Sequence, residues 1–359
     1  MLHRVASWPS VDVSYGPQEN NRRKEGARMK RFRNVVILLF AFALVVAACS
    51  DDGGDTETTT TIAGGGETDL AGTTVTLFSS EDGVDEATGI QRALDVFAEA
   101  NGMTITHTGA RDFSDQINAQ AAGGNPPDIG MFPQPGKVKD FASQGFILPI
   151  NDDVISTVTP QWPASVLEVY QLDGTQYALP AKTDLKSIVW YNQQVFADGG
   201  YEIPTTIEEL LAVGNAMIAA GQTPWCVGIE SGPATGWVFT DWMEDMMLRL
   251  ESPEAYDQWV ANELKFSDPR VVAVGQTILD IWNTPGNTYA AGGSIAATAH
   301  SADHGQPLVD GTCAMVRQAS FFAAFLPEDT TVGEGGQIGT FYFPNVDTSS
   351  SPTLTAGNA

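Results

Sequence analysis

Three things are scarce in this 359-residue chain: cysteine, basic residues and long apolar runs. It holds 3 cysteines, too few for a disulfide-stapled miniature fold and too few for a zinc site made of cysteines alone. Only 18 Lys and Arg stand against 44 Asp and Glu, a formal net charge of −26 that excludes a nucleic-acid binder. The longest apolar run, residues 35–48, is 14 residues, short of the roughly 20 that a membrane-spanning helix needs. Apolar residues nevertheless make up 43% of the chain, enough to build a real core.

The few basic residues are crowded at one end. Residues 1–49 carry 8 of the 18 Lys and Arg but 3 of the 44 Asp and Glu, which leaves 10 against 41 thereafter. Met29-Lys30-Arg31-Phe32-Arg33 precedes the apolar run, which ends Val46-Ala47-Ala48-Cys49. A basic start, a short apolar core and small residues before cysteine read as a lipoprotein signal peptide over 29–48, with Cys49 the lipidated first residue of the mature chain. Residues 1–28 lie upstream of any signal and read as an extension from an early start codon. The Asp/Thr/Gly-rich stretch 49–69 holds one aliphatic residue larger than alanine, Ile62, and reads as a flexible tether.

From Thr73 onward strands and helices alternate. TTVTLF (73–78), MTITHTG (103–109) and NPPDIGMF (125–132) read as strands. They are separated by a helix carrying Ile90, Ala93, Leu94 and Phe97 on one face and by a short helix over 113–122. A third helix spans 137–144. Such alternation implies a parallel sheet with ligand loops at the carboxyl ends of its strands, here 79–82, 109–112 and 133–136. Asp173-Gly174 marks a hairpin turn, and LKSIVWY (185–191) a further strand. A helix at 204–221 opens on a capping box, Thr205 with Glu208 or Thr206 with Glu209. Strand WCVGIE (225–230), helices at 237–250, 253–261 and 269–282, and strands TCAMVRQ and IGTFYF complete the pattern.

Residues 223–245, TPWCVGIESGPATGWVFTDWMED, hold Trp225, Trp237 and Trp242 beside Glu230, Asp241, Glu244 and Asp245. Indole faces next to carboxylates suit a sugar. Trp190, Trp225, Trp259 and Trp282 fall in strands or on apolar helix faces and read as core. Trp237 differs, because it opens a helix after a Gly/Pro loop and can offer its face to a pyranose. A glycosidase needs two carboxylates about 5–9.5 Å apart across the scissile bond. Asp241, Glu244 and Asp245 share one helix, so only a partner from elsewhere, such as Glu81, could face Asp241. His300-Ser-Ala-Asp-His304 has the i, i+4 spacing of a zinc pair but lacks a third ligand, and reads as solvent-facing helix polar groups. Gly136-Lys137 is followed by Val138 and makes no P-loop, and Gly292-Gly293-Ser294-Ile295-Ala296 misses a nucleophile elbow. No cofactor and no metal is called for.

Several of these segments together resemble the extracellular solute-binding proteins of bacterial ABC transporters, in the sugar-binding group and most like its α-glucoside binders. The segments are GARDFSDQINAQAAGGNPPDIGMFPQPG (109–136), DGTQYALPAKTDLKSIVWYN (173–192), the Pro-Thr-Thr-x-Glu-Glu-Leu start at 204–210, TPWCVGIESG, TDWMED and DGTCAMVRQASF. The chain departs from the group at Ile207, where Trp is frequent, and at Ala319 and Phe321, where Gly and Trp are common. The resemblance implies a two-lobed α/β fold of the type II periplasmic-binding-protein kind. The first lobe would span 70–183, the second 184–343, and 344–359 would return toward the first lobe before a C-terminal truncation. It implies ligand contacts from Ser80, Glu81, Arg111 and Gln134 in the first lobe. From the hinge and second lobe it implies Asp184, Trp237, Asp241, Arg317 and Phe321. With two cysteines left in an exported domain after Cys49, it also implies a Cys226–Cys313 disulfide. The function implied is a monomeric, membrane-anchored, extracytoplasmic receptor that delivers a neutral sugar to permease subunits and catalyses nothing. The alternative is a secreted carbohydrate-active hydrolase using Glu81 and Asp241. A metal or polyamine receptor would also suit the acidity.

Intact-mass analysis of membrane-extracted protein is expected to show a chain lacking residues 1–48 with a lipid on Cys49. A mass that retains those residues, or an unmodified Cys49, contradicts this.

Overall fold

The computed structural model describes residues 69–347 and 354–359. The segments expected to be a signal peptide and a tether, with Cys49, up to residue 68, lie outside the described residues. Among those described, no helix is long and apolar enough to cross a membrane.

The first lobe begins with β1 (Thr74–Ser79), α1 (Val84–Ala100), β2 (Thr104–Gly109), α2 (Phe113–Ala122), β3 (Ile129–Met131) and α3 (Pro135–Ser143). The three strands form a parallel sheet in the order β2-β1-β3, with Leu77 opposite both His107 and Ile129. Phe78, Phe113, Phe132 and Phe141 make the core of this lobe, each ring about 5 Å from the next. Periodicity predicts that Phe97 faces this core, yet it is 53% exposed and Ala98 is buried instead. Three short strands cover only a narrow strip of a 17-residue helix.

Helices α4 (Asp152–Val158) and α5 (Ala164–Glu168) lead to a hairpin of β4 (Gln171–Leu172) and β5 (Thr175–Gln176). Its turn residues Asp173 and Gly174 both have positive φ, 51° and 77°, the left-handed pair that a two-residue hairpin requires. LKSIVWY is not one strand but two, β6 (Lys182–Leu185) and β7 (Ile188–Asn192). The break falls at Lys186-Ser187 because the fully buried Ser187 hydroxyl turns inward, to the Asp245 carboxylate at 2.6 Å.

The second lobe adds α6 (Gln193–Gly199), α7 (Ile207–Ala219), β8 (Trp225–Cys226), α8 (Trp237–Leu250), α9 (Pro253–Val260), α10 (Pro269–Asn283), β9 (Thr288–Tyr289), α11 (Gly305–Val309), β10 (Met315–Arg317) and β11 (Ile338–Tyr342). The capping box of α7 is the Thr206–Glu209 pair. The sheet order is β11-β7-β10-β8-β9. Its β10–β8 and β8–β9 pairs are parallel, whereas β7 runs antiparallel to both neighbours. Trp190, Trp225, Trp259 and Trp282 are all buried in this lobe. Finally β12 (Thr355–Asn358) pairs with β6, and Ala359 exchanges backbone hydrogen bonds with Phe132 of the first lobe.

Cys226 and Cys313 are joined by a disulfide, with Cα atoms 5.5 Å apart. Both are buried beside Ile188, Trp190 and Val316. The bond closes a loop of 87 residues, so replacing both cysteines by alanine is expected to cost about 4–5 kcal/mol by the chain-entropy model. Denaturant unfolding of parent and double variant checks this; equal midpoints contradict it.

Candidate functional site

At the end of β1, Ser79 turns its hydroxyl into the lobe, 2.7 Å from His107 Nε2, and accepts a hydrogen bond from the Glu81 amide at 3.0 Å. This fixes the loop that carries Ser80 and Glu81 at the carboxyl end of the central strand. The Glu81 carboxylate accepts from Lys182 Nζ at 3.3 Å and from Asn358 Nδ2 at 2.8 Å, and Ser80 Oγ lies 3.4 Å from the same amide. Arg111, after β2, pairs with Asp82 at 3.2 Å and is half exposed. Gln134 is exposed at the N-cap of α3.

Lys182 gathers more than Glu81. Its ammonium is 3.1 Å from Glu86 in the first turn of α1 and 3.5 Å from Asp184, whose carboxylate also accepts from Ser320 Oγ at 3.1 Å. Burial alone would pull Lys182 down, but the surrounding Glu81, Glu86 and Asp184 outweigh it and hold its pKa raised. Glu86 is pushed up to about 7 by burial and the neighbouring Glu81 charge, against the pull of Lys182.

The other side of the site is built on α8. Gly236, at φ 107°, lets the chain enter the helix abruptly, so that Trp237 stands at its first position. Trp237, Asp241, Asp245 and Arg249 then follow at intervals of four, a stripe down one face. Lys186 Nζ lies 2.8 Å from Asp241 Oδ2 and 5.1 Å above the Trp237 ring. Asp245 and Arg249 below are held by charge. Arg249 Nη1 donates to Asp245 at 2.7 Å, Ser187 Oγ donates to it at 2.6 Å, and Arg317 Nε donates to it at 3.0 Å. Burial pushes Asp245 up, but Arg317, Arg249 and the Ser187 hydroxyl outweigh it and keep its carboxyl below the ordinary range.

Arg317, expected as a ligand contact, has a fully buried side chain. Its guanidinium reaches Asp241 at 3.5 Å and the Asp241 carbonyl at 3.0 Å, so it acts on any guest only through that residue. Phe321 is half-buried, its ring 6.0 Å from that of Trp237, with Lys182 and Lys186 at 5.8 and 5.9 Å from its centre. The structure therefore brings Glu81 and Asp184 to one lysine, with Ser80 and Glu81 sharing Asn358, and Trp237 and Asp241 to another, with Phe321 near both lysines.

The histidine pair corrects its sequence reading. His300 and His304 do not share a helix: His304 only precedes α11, and it is 2% exposed. His300 packs edge-on against Trp237, ring centres 4.9 Å apart, with Nδ1 2.8 Å from Ser301 Oγ. Burial lowers both rings to about 4, helped by Arg111 at His300 and by His300 at His304. Spacing alone misses this because the surrounding chain, rich in Gly, Ala and Ser, forms turns that bury side chains without a helical period. Sequence reasoning also misses Lys182 and Lys186. Their signal is scarcity, since two of the ten basic residues after Cys49 fall within five positions.

With this geometry in view, the profile of the bacterial extracellular solute-binding proteins matches residues 82–349. The chain belongs to that family. It is 38% identical over 278 residues to the osmoprotective compounds-binding protein GgtB of Synechocystis, an alignment covering 75% of this chain and 64% of that one. It is 36% identical over 302 residues to the alpha-glucosides-binding periplasmic protein AglE of Rhizobium meliloti, covering 80% and 65% respectively. The chain thus spans just under two thirds of the length of these curated relatives. Among solved structures it resembles a chitin oligosaccharide binding protein, with TM-score 0.62 and 22% identity over 80% of this chain and 72% of the other. Its fold is the two-lobed, periplasmic-binding-protein-like α/β fold.

Glu244, on α8 beside Asp241, is pushed up to about 7 by burial and by the Asp241 charge, against Lys186 and Arg317. A carboxyl raised in the folded state favours folding while it is protonated there, and this contribution is lost as pH rises from about 4.5 through about 7. Glu244→Gln is expected to remove a decline on the order of 2 kcal/mol between pH 5 and 8, with the share of Glu86 untouched. Denaturant unfolding at both pH values checks it; an unchanged pH slope contradicts it.

Proposed function

We propose that this protein is the substrate-capturing receptor of an ABC importer, closing over a neutral sugar of the α-glucoside kind and presenting it to permease subunits. The observation that carries this reading is the pairing of each cleft carboxylate with a lysine beside an aromatic ring. Lys186 meets Asp241 at 2.8 Å under Trp237 and Phe321, and Lys182 meets Glu81 at 3.3 Å. A sugar hydroxyl both donates and accepts. A carboxylate next to an ammonium offers it one of each, while an indole face takes the C–H surface of the ring. The family, and the two relatives described above, support a solute receptor of this kind.

In this reading residues 70–183 and 184–343 are lobes that close about the 182–186 stretch by a hinge motion. Ser80, Glu81, Arg111 and Gln134 approach the guest from one lobe; Trp237, Asp241 and Phe321 approach it from the other, with Asp184 at the hinge. Cys49 carries the lipid that anchors a monomeric receptor outside the cytoplasm. The protein is no enzyme: Glu81 and Asp241 are both engaged by ammonium groups, which obstructs the proton delivery that a glycosidase requires.

Calorimetry with maltose, trehalose and sucrose is expected to show binding, and product analysis no hydrolysis. Trp237→Ala is expected to abolish binding while circular dichroism is unchanged. Asp241→Asn and Glu81→Gln each keep one acceptor oxygen and are expected to weaken binding by on the order of 1.5–3 kcal/mol. Parent-like binding by Trp237→Ala would place that indole in the core. Release of glucose by the parent but not by Asp241→Asn would overturn the receptor reading in favour of a hydrolase.

A further inference from the structure

His107 stands half-buried on β2, and both its backbone and its ring are tied to neighbouring elements. Its amide donates to Gln91 Oε1 at 2.8 Å, and Gln91 Nε2 donates in turn to Asp95 at 2.7 Å and to the Ile105 carbonyl at 2.8 Å. The ring meets the Ser79 hydroxyl, 2.7 Å from Nε2, and the Ala87 carbonyl in the first turn of α1. Ser79 has no solvent exposure, so its hydroxyl hydrogen must find an acceptor inside the protein. Its oxygen already accepts from the Glu81 amide at 3.0 Å, and Nε2 is the acceptor the structure offers the hydrogen. Nε2 therefore carries no proton, and the ring is neutral. The bonds run one way, from the Glu81 amide to Ser79 and from Ser79 to His107.

We propose that His107 is a positioning residue that acts through Ser79 on the Glu81 loop, and that acid undoes it. A proton on Nε2 turns the bond to Ser79 around, strands the buried hydroxyl hydrogen and loosens the hold on the Glu81 amide. This rests on the sugar-receptor reading above and adds its regulation: the receptor grips its guest at neutral pH and slackens in acid. The groups that face the ring set where this happens. Burial holds its pKa below the ordinary 6.5, against the Ala87 carbonyl and the Glu81 charge, which pull it up. Of the other nearby acids, Asp95 reaches His107 only through Gln91, and Glu86 is engaged by Lys182. The neutral ring therefore prevails above about pH 6.5, and its positioning effect is lost as pH falls through the lowered pKa. By reciprocity, a guest that needs the neutral ring lowers that pKa further when it binds.

The test sets calorimetry with maltose, trehalose and sucrose, at about pH 7.5 and about pH 5, beside NMR titration of the His107 ring and the Glu81 amide. It uses the parent, His107→Gln and Ser79→Ala, with thermal melting at both pH values as a check on fold. The glutamine keeps an oxygen that can accept from Ser79 and cannot take up a proton. Between the two pH values the parent is expected to lose on the order of ten-fold more affinity than His107→Gln. The share that comes from Glu86 and Glu244 is common to both. With no sugar present, the Glu81 amide resonance of the parent is expected to follow the ring with the same midpoint, and to lose that midpoint in both variants. Sugar is expected to move the ring's midpoint downward, which an imidazole that served packing alone would not show. Equal losses in parent and His107→Gln, or a Glu81 amide that ignores the ring, overturn the relay while the receptor reading stands. A parent that binds none of these sugars overturns the receptor reading, and the Glu81 amide still decides the relay.

Discussion

A single carboxylate, that of Asp245, ties the second lobe together. It has no solvent exposure, and an ionised carboxylate in that position is tolerable only if its lone pairs are filled. They are filled from three directions: Arg249 on its own helix, Arg317 on β10, and Ser187 at the break between β6 and β7. Ser187 in turn accepts from the Leu354 amide, and Arg249 donates to the Phe343 and Pro344 carbonyls. One buried charge thereby sets the relative positions of a helix, two strands and two stretches of irregular chain. Loss of either arginine would leave the buried carboxylate with one counter-charge in place of two, the costly way to damage such a cluster.

The polar site is stacked on this base. Arg317 passes from Asp245 to Asp241, and Lys186 sits one residue from Ser187, so the break that satisfies Asp245 also aims the ammonium at Asp241. Trp237 lies one helical turn above. The order along α8 runs from aromatic platform to exchangeable hydrogen bonds to immovable ion cluster, each layer held by the one beneath. This is the preorganisation that a binding site needs if its guest is not to bear the cost of arranging it.

Much of this is legible in the chain. The helices over 113–122 and 237–250 have the bounds that their sequences predict, and the capping pair at 206 and 209 is one of the two options. Those features are local, fixed by residues within a turn of one another. The lysines are not legible, because Lys182 answers to Glu81 and Glu86, 101 and 96 positions away, and Lys186 to Asp241, 55 positions away. Strand LKSIVWY reads as continuous because nothing nearby betrays that a serine in its middle serves a distant aspartate. Arg317, expected at the surface of the site, lies behind Asp241 with its side chain fully buried, since sequence gives its company and not its depth. Phe97 shows the opposite failure: its period is right for a buried face that the sheet is too narrow to cover.

The lysine pairs have one more effect, on what the surrounding medium does to the site. Each cleft carboxylate that meets Lys182 or Lys186 has its counter-charge within 3.5 Å, well inside the Debye length of about 8 Å at 0.15 M salt. At Asp241, dissolved ions therefore have little left to neutralise, and an uncharged guest brings no charge for them to screen. In a domain so acidic overall, the charge of Asp241 is matched locally by Lys186, while at Lys182 one ammonium is shared by three carboxylates. On the proposed reading, the hold of the Asp241 side on a sugar hydroxyl is set by the spacing of donors and acceptors, and stays much the same from dilute medium to brine.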